Sequence, residues 1–171
     1  MTAPLYQTSP ARLRIVPAEV RHGSVLAELE AACFPNPWSE SVLAGQLTCP
    51  GSLSLVAHQV PDAVGYALLR TAADEGELLR IGVLPEHRSR GIADELLREG
   101  LRRLRKLGAR LCHLEVREDN PAAIGLYRRH GFRSVGQRTG YYPDGATALL
   151  FAHRLAPPMA EGDPQSGAPV S

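Results

Sequence analysis

"HRSRGIADELL", residues 87–97, sets two arginines and a serine against a glycine and a small residue, and from there apolar residues recur at helical spacing. Ile92, Leu96, Leu97, Gly100, Leu101, Leu104 and Leu107 share one helical face, and Gly108 stands where such a helix stops. Just upstream, "GELLRIGVL" (76–84) reads as a strand. A strand, a loop and a helix in that order place free backbone N–H groups and the positive end of a helix dipole at "RSRGIA". Gly91 lets the backbone approach closely, Ala93 keeps the surface low, and Arg88 and Arg90 add charge. The junction is either an anion site, with phosphate the obvious guest, or an ordinary turn with exposed arginines. It is neither Gly-x-x-x-x-Gly-Lys-Ser/Thr nor Gly-x-Gly-x-x-Gly, which speaks against nucleoside triphosphates and Rossmann dinucleotides.

Outward from this junction the chain alternates strand and helix signals. "RLRIV" (12–16) reads as a short strand, and Pro17 opens a helical stretch with Val20, Val25, Leu26, Leu29 and Ala32 as its apolar stripe. "FPNPW" (34–38) breaks that stretch, Ser39 caps a second helix over "ESVLAGQLT" (40–48), and Pro50-Gly51 ends it. "SLSLVAHQV" (52–60) and "AVGYALLRT" (63–71) form a hairpin across Pro61-Asp62. Beyond the central helix, "ARLCHLEV" (109–116) returns to strand. Asn120 as N-cap, Pro121 at the first turn and Gly131 past the end bracket a helix across "AAIGLYRRH" (122–130). "FRSVGQRTG" (132–140) and "ATALLFAHRL" (146–155) supply two last strands. The expected fold is α/β: a mixed central sheet flanked by helices, with a parallel crossover at its centre.

Composition narrows the classes. Of 171 residues 44% are hydrophobic, enough for one domain with a core. Nineteen Lys and Arg nearly balance eighteen Asp and Glu, so the +1 formal charge gives no whole-surface attraction to nucleic acid or to a membrane. Cys33, Cys49 and Cys112 are odd in number and lack Cys-x-x-Cys spacing, so neither a disulfide framework nor a zinc site is expected, and no metal cluster emerges from the six histidines. A reducing cytoplasm fits. No apolar run of about 18 residues occurs, so no membrane span is expected. Residues 1–10 and 156–171 are rich in Pro, Gly, Ser and Ala and read as mobile tails around a single domain, 11–155.

The motifs carry a resemblance. "RSRGIA" resembles the Gln/Arg-x-x-Gly-x-Gly/Ala pyrophosphate loop of the GCN5-related N-acetyltransferase (GNAT) superfamily, and "NPAAIGLYRRHGF" is similar to that family's Asn-x-x-Ala-x-x-Leu-Tyr-x-x-x-Gly-Phe helix. "CFPNPWSE", "LEVR" and "YYP" look like its RimI-type branch, the ribosomal-protein-alanine N-acetyltransferases. The match spans about residues 12–154. It implies a GNAT-type domain whose parallel strand pair is splayed at the cofactor site, and acetyl-coenzyme A as acetyl donor. The pyrophosphate would lie on the backbone N–H groups of Ser89, Arg90, Gly91, Ile92, Ala93 and Asp94, beside Arg88, and the pantetheine arm would pair with Ile81, Gly82 and Val83. Asn120 matches a position that hydrogen-bonds the pantetheine region. Asp94 departs from the usual basic or neutral residue, and its side chain is expected to point away.

The chemistry asks for a base and an acid, because an amine attacks a thioester only when neutral and the thiolate must leave. Strand parity puts Leu111, His113 and Glu115 on one side and Cys112, Leu114 and Val116 on the other. Read alone, Glu115 is a charge near a strand end, paired to Arg117 or a neighbouring strand; the resemblance makes it the general base. Tyr127, read alone, is a core aromatic; the resemblance makes it the general acid. Cys112 lies opposite Glu115 and reads as a buried inert thiol, so direct transfer in a ternary complex is expected. The basic run Arg98, Arg102, Arg103, Arg105, Lys106 and Arg110 is a solvated helix face, with docking beside ribosomal RNA as the rarer alternative. Phe34 and Trp38 staple two helices to the core, and in the resemblance they also wall the acceptor site with Tyr141 and Tyr142. The implied acceptor is a protein N-terminus, notably the N-terminal alanine of a small-subunit ribosomal protein. "YYPDGATALLF" is shorter than that branch's turn and has Ala146 and Thr147 where an acidic pair often stands, a departure that bears on the acceptor. A small-molecule amine or a lysine side chain is the competing acceptor, and a non-enzymatic acyl-coenzyme A-binding module the competing role.

Overall fold

In a computed structural model of the chain, residues 12–156 are described; the two sequence-predicted tails fall almost wholly outside them. The strands are β1 (Leu13–Pro17), β2 (Leu55–Gln59), β3 (Asp62–Ala72), β4 (Glu75–Val83), β5 (Leu111–Arg117), β6 (Arg133–Arg138) and β7 (Ala148–Arg154). The helices are α1 (Gly23–Cys33), α2 (Glu40–Thr48), α3 (Ile92–Lys106) and α4 (Pro121–Arg129). One seven-stranded sheet runs β1-β2-β3-β4-β5-β7-β6, antiparallel throughout except between β4 and β5.

Strand alternation gives the sheet two apolar faces, each covered by helices. On one face Leu55, Ala57, Ala67, Leu69 and Leu78 meet α3 through Leu96, Leu97 and Leu104, and Cys112, Leu114 and Val116 share that cluster with Leu126 and Tyr127 of α4. On the other, Val56, Tyr66 and Leu68 meet Leu26 and Leu29 of α1 and Leu43 of α2. Helix α3 lies close on the sheet: a Cβ added at Gly100 would stand 2.8 Å from a Leu69 methyl. No helix among the described residues is long and apolar enough to cross a membrane.

Pro17 is the last residue of β1, opposite Leu55, and not the start of a helix. In this edge strand its missing N–H leaves no gap in the ladder. A single 3-10 turn, Val20–His22, follows, and α1 begins only at Gly23. Val20 is 62% exposed and Ala32 is exposed as well, so the buried stripe of α1 is Leu26, Leu29 and the charged Glu30.

The position of the site follows from an interruption at the sheet's centre. The parallel pairing of β4 with β5 covers Glu75↔Leu111, Gly76↔Cys112 and Glu77↔His113 and then ends, although β4 continues to Val83 and β5 to Arg117. Where it ends, β4 carries a bulge against β3: Leu68 faces Arg80 and Leu69 faces Leu78, leaving Leu79 as the extra residue. A bulge bends its strand. The two parallel strands therefore splay, as the resemblance implied.

Candidate active site

Among the described residues, β4 has between Leu78 and Val83 a neighbour on one side only, β3. Its other edge presents unpaired backbone donors and acceptors inside the sheet, and such a row is satisfied by one extended chain laid along it. At the end of this edge the chain makes the turn Pro85–His87 and enters the quoted loop. Ser89 (φ 59°) and Gly91 (φ 78°) are both left-handed there, and for Ser89 that conformation costs roughly 1–2 kcal/mol. Among the described residues no side chain caps α3, and a Cβ at Gly91 would meet nothing within 4 Å, so the helix N-terminus is uncapped with open space beside Gly91. An open edge running into an uncapped helix N-terminus suits an extended molecule that carries an anion.

Arg88 and Asp94 are bonded within the protein, while Ser89 and Arg90 are exposed. Arg88 donates from Nε to the Val83 carbonyl (3.0 Å) and from Nη2 to the Cys33 carbonyl (3.5 Å), tying the loop to the end of β4. Asp94 accepts from Arg129 (3.2 Å) and shares a hydrogen bond with His130 (3.1 Å), so its carboxylate is engaged with the end of α4. Burial alone would raise its pKa, but the bonds to His130 and Arg129 outweigh that and hold it below the usual carboxylate value. On α3, Arg98 pairs with Glu95, and Arg102 and Arg103 pair with Glu99. Three of the six residues of the basic run are thus paired along the helix, beside a groove of about 460 Å³ lined by Arg98, Arg102, Arg105 and Arg154, away from the splay.

Across the splay, Glu115 lies on the face of β5 opposite buried Cys112, Leu114 and Val116, as parity predicts. Its partner is Arg138 of β6, at 2.9 Å, and not Arg117, which pairs with Asp119 (2.8 Å) and Asp144 (2.7 Å). Tyr127 comes from α4 on the other face, 7% exposed and edge-to-face with Phe132 at 5.9 Å. Among the described residues nothing hydrogen-bonds its hydroxyl, and burial, with Tyr142 nearby, pushes its pKa above the ordinary phenol value. Tyr142 joins the two: it lies close enough to Glu115 and to Tyr127 for their charges to interact, and burial, then Glu115, raises its own pKa. Arg117 stacks on Tyr142 (4.6 Å) and Arg138 on Tyr141 (5.3 Å). Asn120 caps α4, accepting from the Ala123 N–H at 3.1 Å, which leaves its amide NH2 free of partners among the described residues.

Phe34 and Trp38 are partly buried against the α1/α2 core, so the stapling expected of them is present. The residues that hold them were not foreseen. Arg80 of β4 sits with its guanidinium 4.0 Å from the Phe34 ring centre and 4.8 Å from that of Trp38, and it pairs with Glu30, which is fully buried. A carboxylate at a position where α1 should be apolar, one turn after Leu26, was the available signal. Of the thiols, burial pushes Cys112 up to about 12, and burial also raises half-buried Cys33.

A family model described as the acetyltransferase (GNAT) family matches residues 24–132. The chain is 42% identical over 122 residues to the N-alpha-acetyltransferase RimI of Mycobacterium tuberculosis, covering 68% of this chain and 75% of that one. It is 33% identical over 115 residues to the ribosomal protein bS18-alanine N-acetyltransferase of Escherichia coli, covering 67% and 77%. The crystal structure of the ribosomal-protein-S18-alanine N-acetyltransferase from Escherichia coli superposes with a TM-score of 0.81 at 28% identity, over 91% of this chain and all of the other.

Proposed function

The chain belongs to the acetyltransferase (GNAT) family and is an acyltransferase, and from that premise we propose that it moves an acetyl group from acetyl-coenzyme A to the N-terminal α-amine of a protein. The proposed acceptor is the N-terminal alanine of a small-subunit ribosomal protein, in keeping with the ribosomal protein S18 alanine that the names of the Escherichia coli relative and solved structure carry. The observation that supports this best is the interrupted β4–β5 ladder, which leaves an open backbone edge in mid-sheet with Glu115 on one side and Tyr127 on the other.

Acetyl-coenzyme A supplies the activated acetyl thioester. In this reading the backbone of Ile81, Gly82 and Val83 pairs with its pantetheine arm, the N–H groups of Ser89 to Asp94 hold its pyrophosphate, and the free Asn120 amide donates to the arm. Arg88 and Asp94 act indirectly, the first by fixing the loop on β4 and the second by tying α3 to α4. Glu115 accepts the amine's proton, directly or through water. An α-amine with a pKa of about 7.7–8.0 is partly neutral at physiological pH, so a modest carboxylate base suffices where a lysine near 10.4 would demand more. A backbone N–H near Val83 steadies the oxyanion, and the Tyr127 hydroxyl, kept protonated by burial, gives its proton to the sulfur as the C–S bond breaks. Solvent then restores both groups. Transfer is direct, because the thiols of Cys112 and Cys33 are held protonated.

The test mixes the protein with acetyl-coenzyme A and peptides beginning with Ala, Ser or Met, or N-blocked with an internal lysine, and follows peptide mass and released thiol together. Acetylation of the free Ala terminus is the expected result. Modification of the blocked peptide would move the acceptor to side-chain amines, and cofactor binding with no peptide modified would favour small amines or a non-enzymatic role.

A further inference from the structure

The loop Phe34–Trp38 contains Pro35 and Pro37, which lack the N–H groups needed to build a hydrogen-bonded turn of its own. Its shape comes from outside, through one buried ion pair. Glu30 accepts the Trp38 backbone N–H on Oε1 (2.9 Å), pairs through that same oxygen with Arg80 Nη2 (2.6 Å), and takes the Tyr66 hydroxyl on Oε2. Arg80 in turn donates to the Asn36 carbonyl (3.1 Å) and lies against both aromatic rings. Two side chains therefore fix the loop at backbone positions 36 and 38 and at rings 34 and 38. Arg80 directly precedes Ile81 on the open edge of β4, and a Cβ at Gly82 would stand 3.1 Å from the Phe34 ring, so the clamp grows from the edge itself.

We propose that Arg80, held by Glu30, is the positioning residue of the acceptor wall: it sets Phe34 and Trp38 against β4 and so governs peptide capture without touching the reacting atoms. Glu30 pairs with Arg80, so the guanidinium contributes to the wall as a planar support for the two rings and not as a free charge. A buried pair of this kind adds little net stability over apolar packing, and its contribution is one fixed geometry. This inference rests on the reading of Phe34 and Trp38 as the acceptor wall.

The experiment compares Arg80→Met, Arg80→Lys, Glu30→Gln and Trp38→Ala in the full chain. It measures the acetyl-coenzyme A Kd by calorimetry and, separately, kcat and KM for an Ala-initiated peptide, with thermal melts as a check on folding. Arg80→Met is expected to raise peptide KM at least about tenfold, with kcat and cofactor Kd within about twofold, since misplacing a positioning surface by an ångström is enough for such losses. Arg80→Lys keeps the ion pair but not the planar stacking and is expected to recover part of the loss. Should Glu30→Gln fail to fold, the two Arg80 variants carry the test. If Trp38→Ala raises KM while neither Arg80 variant does, the inference falls and the wall stands; if Trp38→Ala changes nothing, the wall reading falls and takes the inference with it. Loss of cofactor affinity in Arg80→Met without a change in peptide KM would also overturn it.

Discussion

Glu115 and Tyr127 come from opposite faces of β5, and their partners set what each can do. Among the described residues Glu115 has one ion pair, with half-exposed Arg138; in the proposed mechanism the arriving ammonium takes the guanidinium's place. Replacing Glu115 by Gln is expected to lower kcat by about 10²–10⁴ while acetyl-coenzyme A still binds, and Tyr127→Phe to do likewise. Burial raises the Tyr127 pKa, so the phenol stays protonated well past neutrality. The rate should then climb with pH as the acceptor amine loses its proton near about 8, with no fall owed to Tyr127 below about pH 10. A pH–rate profile of kcat/KM checks both limbs. Cys112→Ala should retain kcat, because a thiol pushed up to about 12 supplies no nucleophile, and a large loss of turnover would revive an acyl-enzyme route. The parity of β5 was readable in the sequence. The partnership of Glu115 with Arg138 was not, since it depends on β6 and β5 both flanking β7.

At the scale of elements, α3 was legible because its apolar spacing and its two flanking glycines agree, and Ser39 and Asn120 cap α2 and α4 as read. What escaped was long-range: β7 inserted between β5 and β6, the bulge at Leu79, and Pro17 ending a strand instead of opening a helix. Each is decided by pairing with residues distant in the chain, which local preference does not encode. Close docking of α3 depends on Gly100, where a side chain would run into Leu69. Gly100→Ala should therefore lower Tm, despite alanine's better helix propensity, and weaken acetyl-coenzyme A binding by moving the helix N-terminus. Calorimetric titration beside a melt separates the two effects, and a gain in Tm would show that the helix is not seated as described.

For the whole molecule, charge is balanced and acidic groups are tied down. The Arg102 hydrogen bond, against a smaller opposing effect of burial, holds Glu99 down to about 2, and Arg117 lowers Asp119 and Asp144. A carboxylate lowered on folding contributes stability above its unfolded pKa of about 4.3 for Glu or 3.9 for Asp, and loses it as pH falls through the folded value. Tm should thus hold from neutrality to about pH 5 and then decline toward pH 2, with a shallower decline in Glu99→Gln. Finally, among the described residues three pairs, Glu75 to Glu77 with Leu111 to His113, are all the strand pairing that joins β1–β4 to β5–β7. The sheet is thus two half-sheets joined by a short parallel seam over a shared core. In the proposed binding mode the acyl donor lies along β4 and fills the gap between the two half-sheets as an eighth strand, so each turnover completes the sheet and then leaves it open again. Amide exchange at the open edge of Leu78–Val83 should slow sharply when donor binds and quicken again once coenzyme A has left.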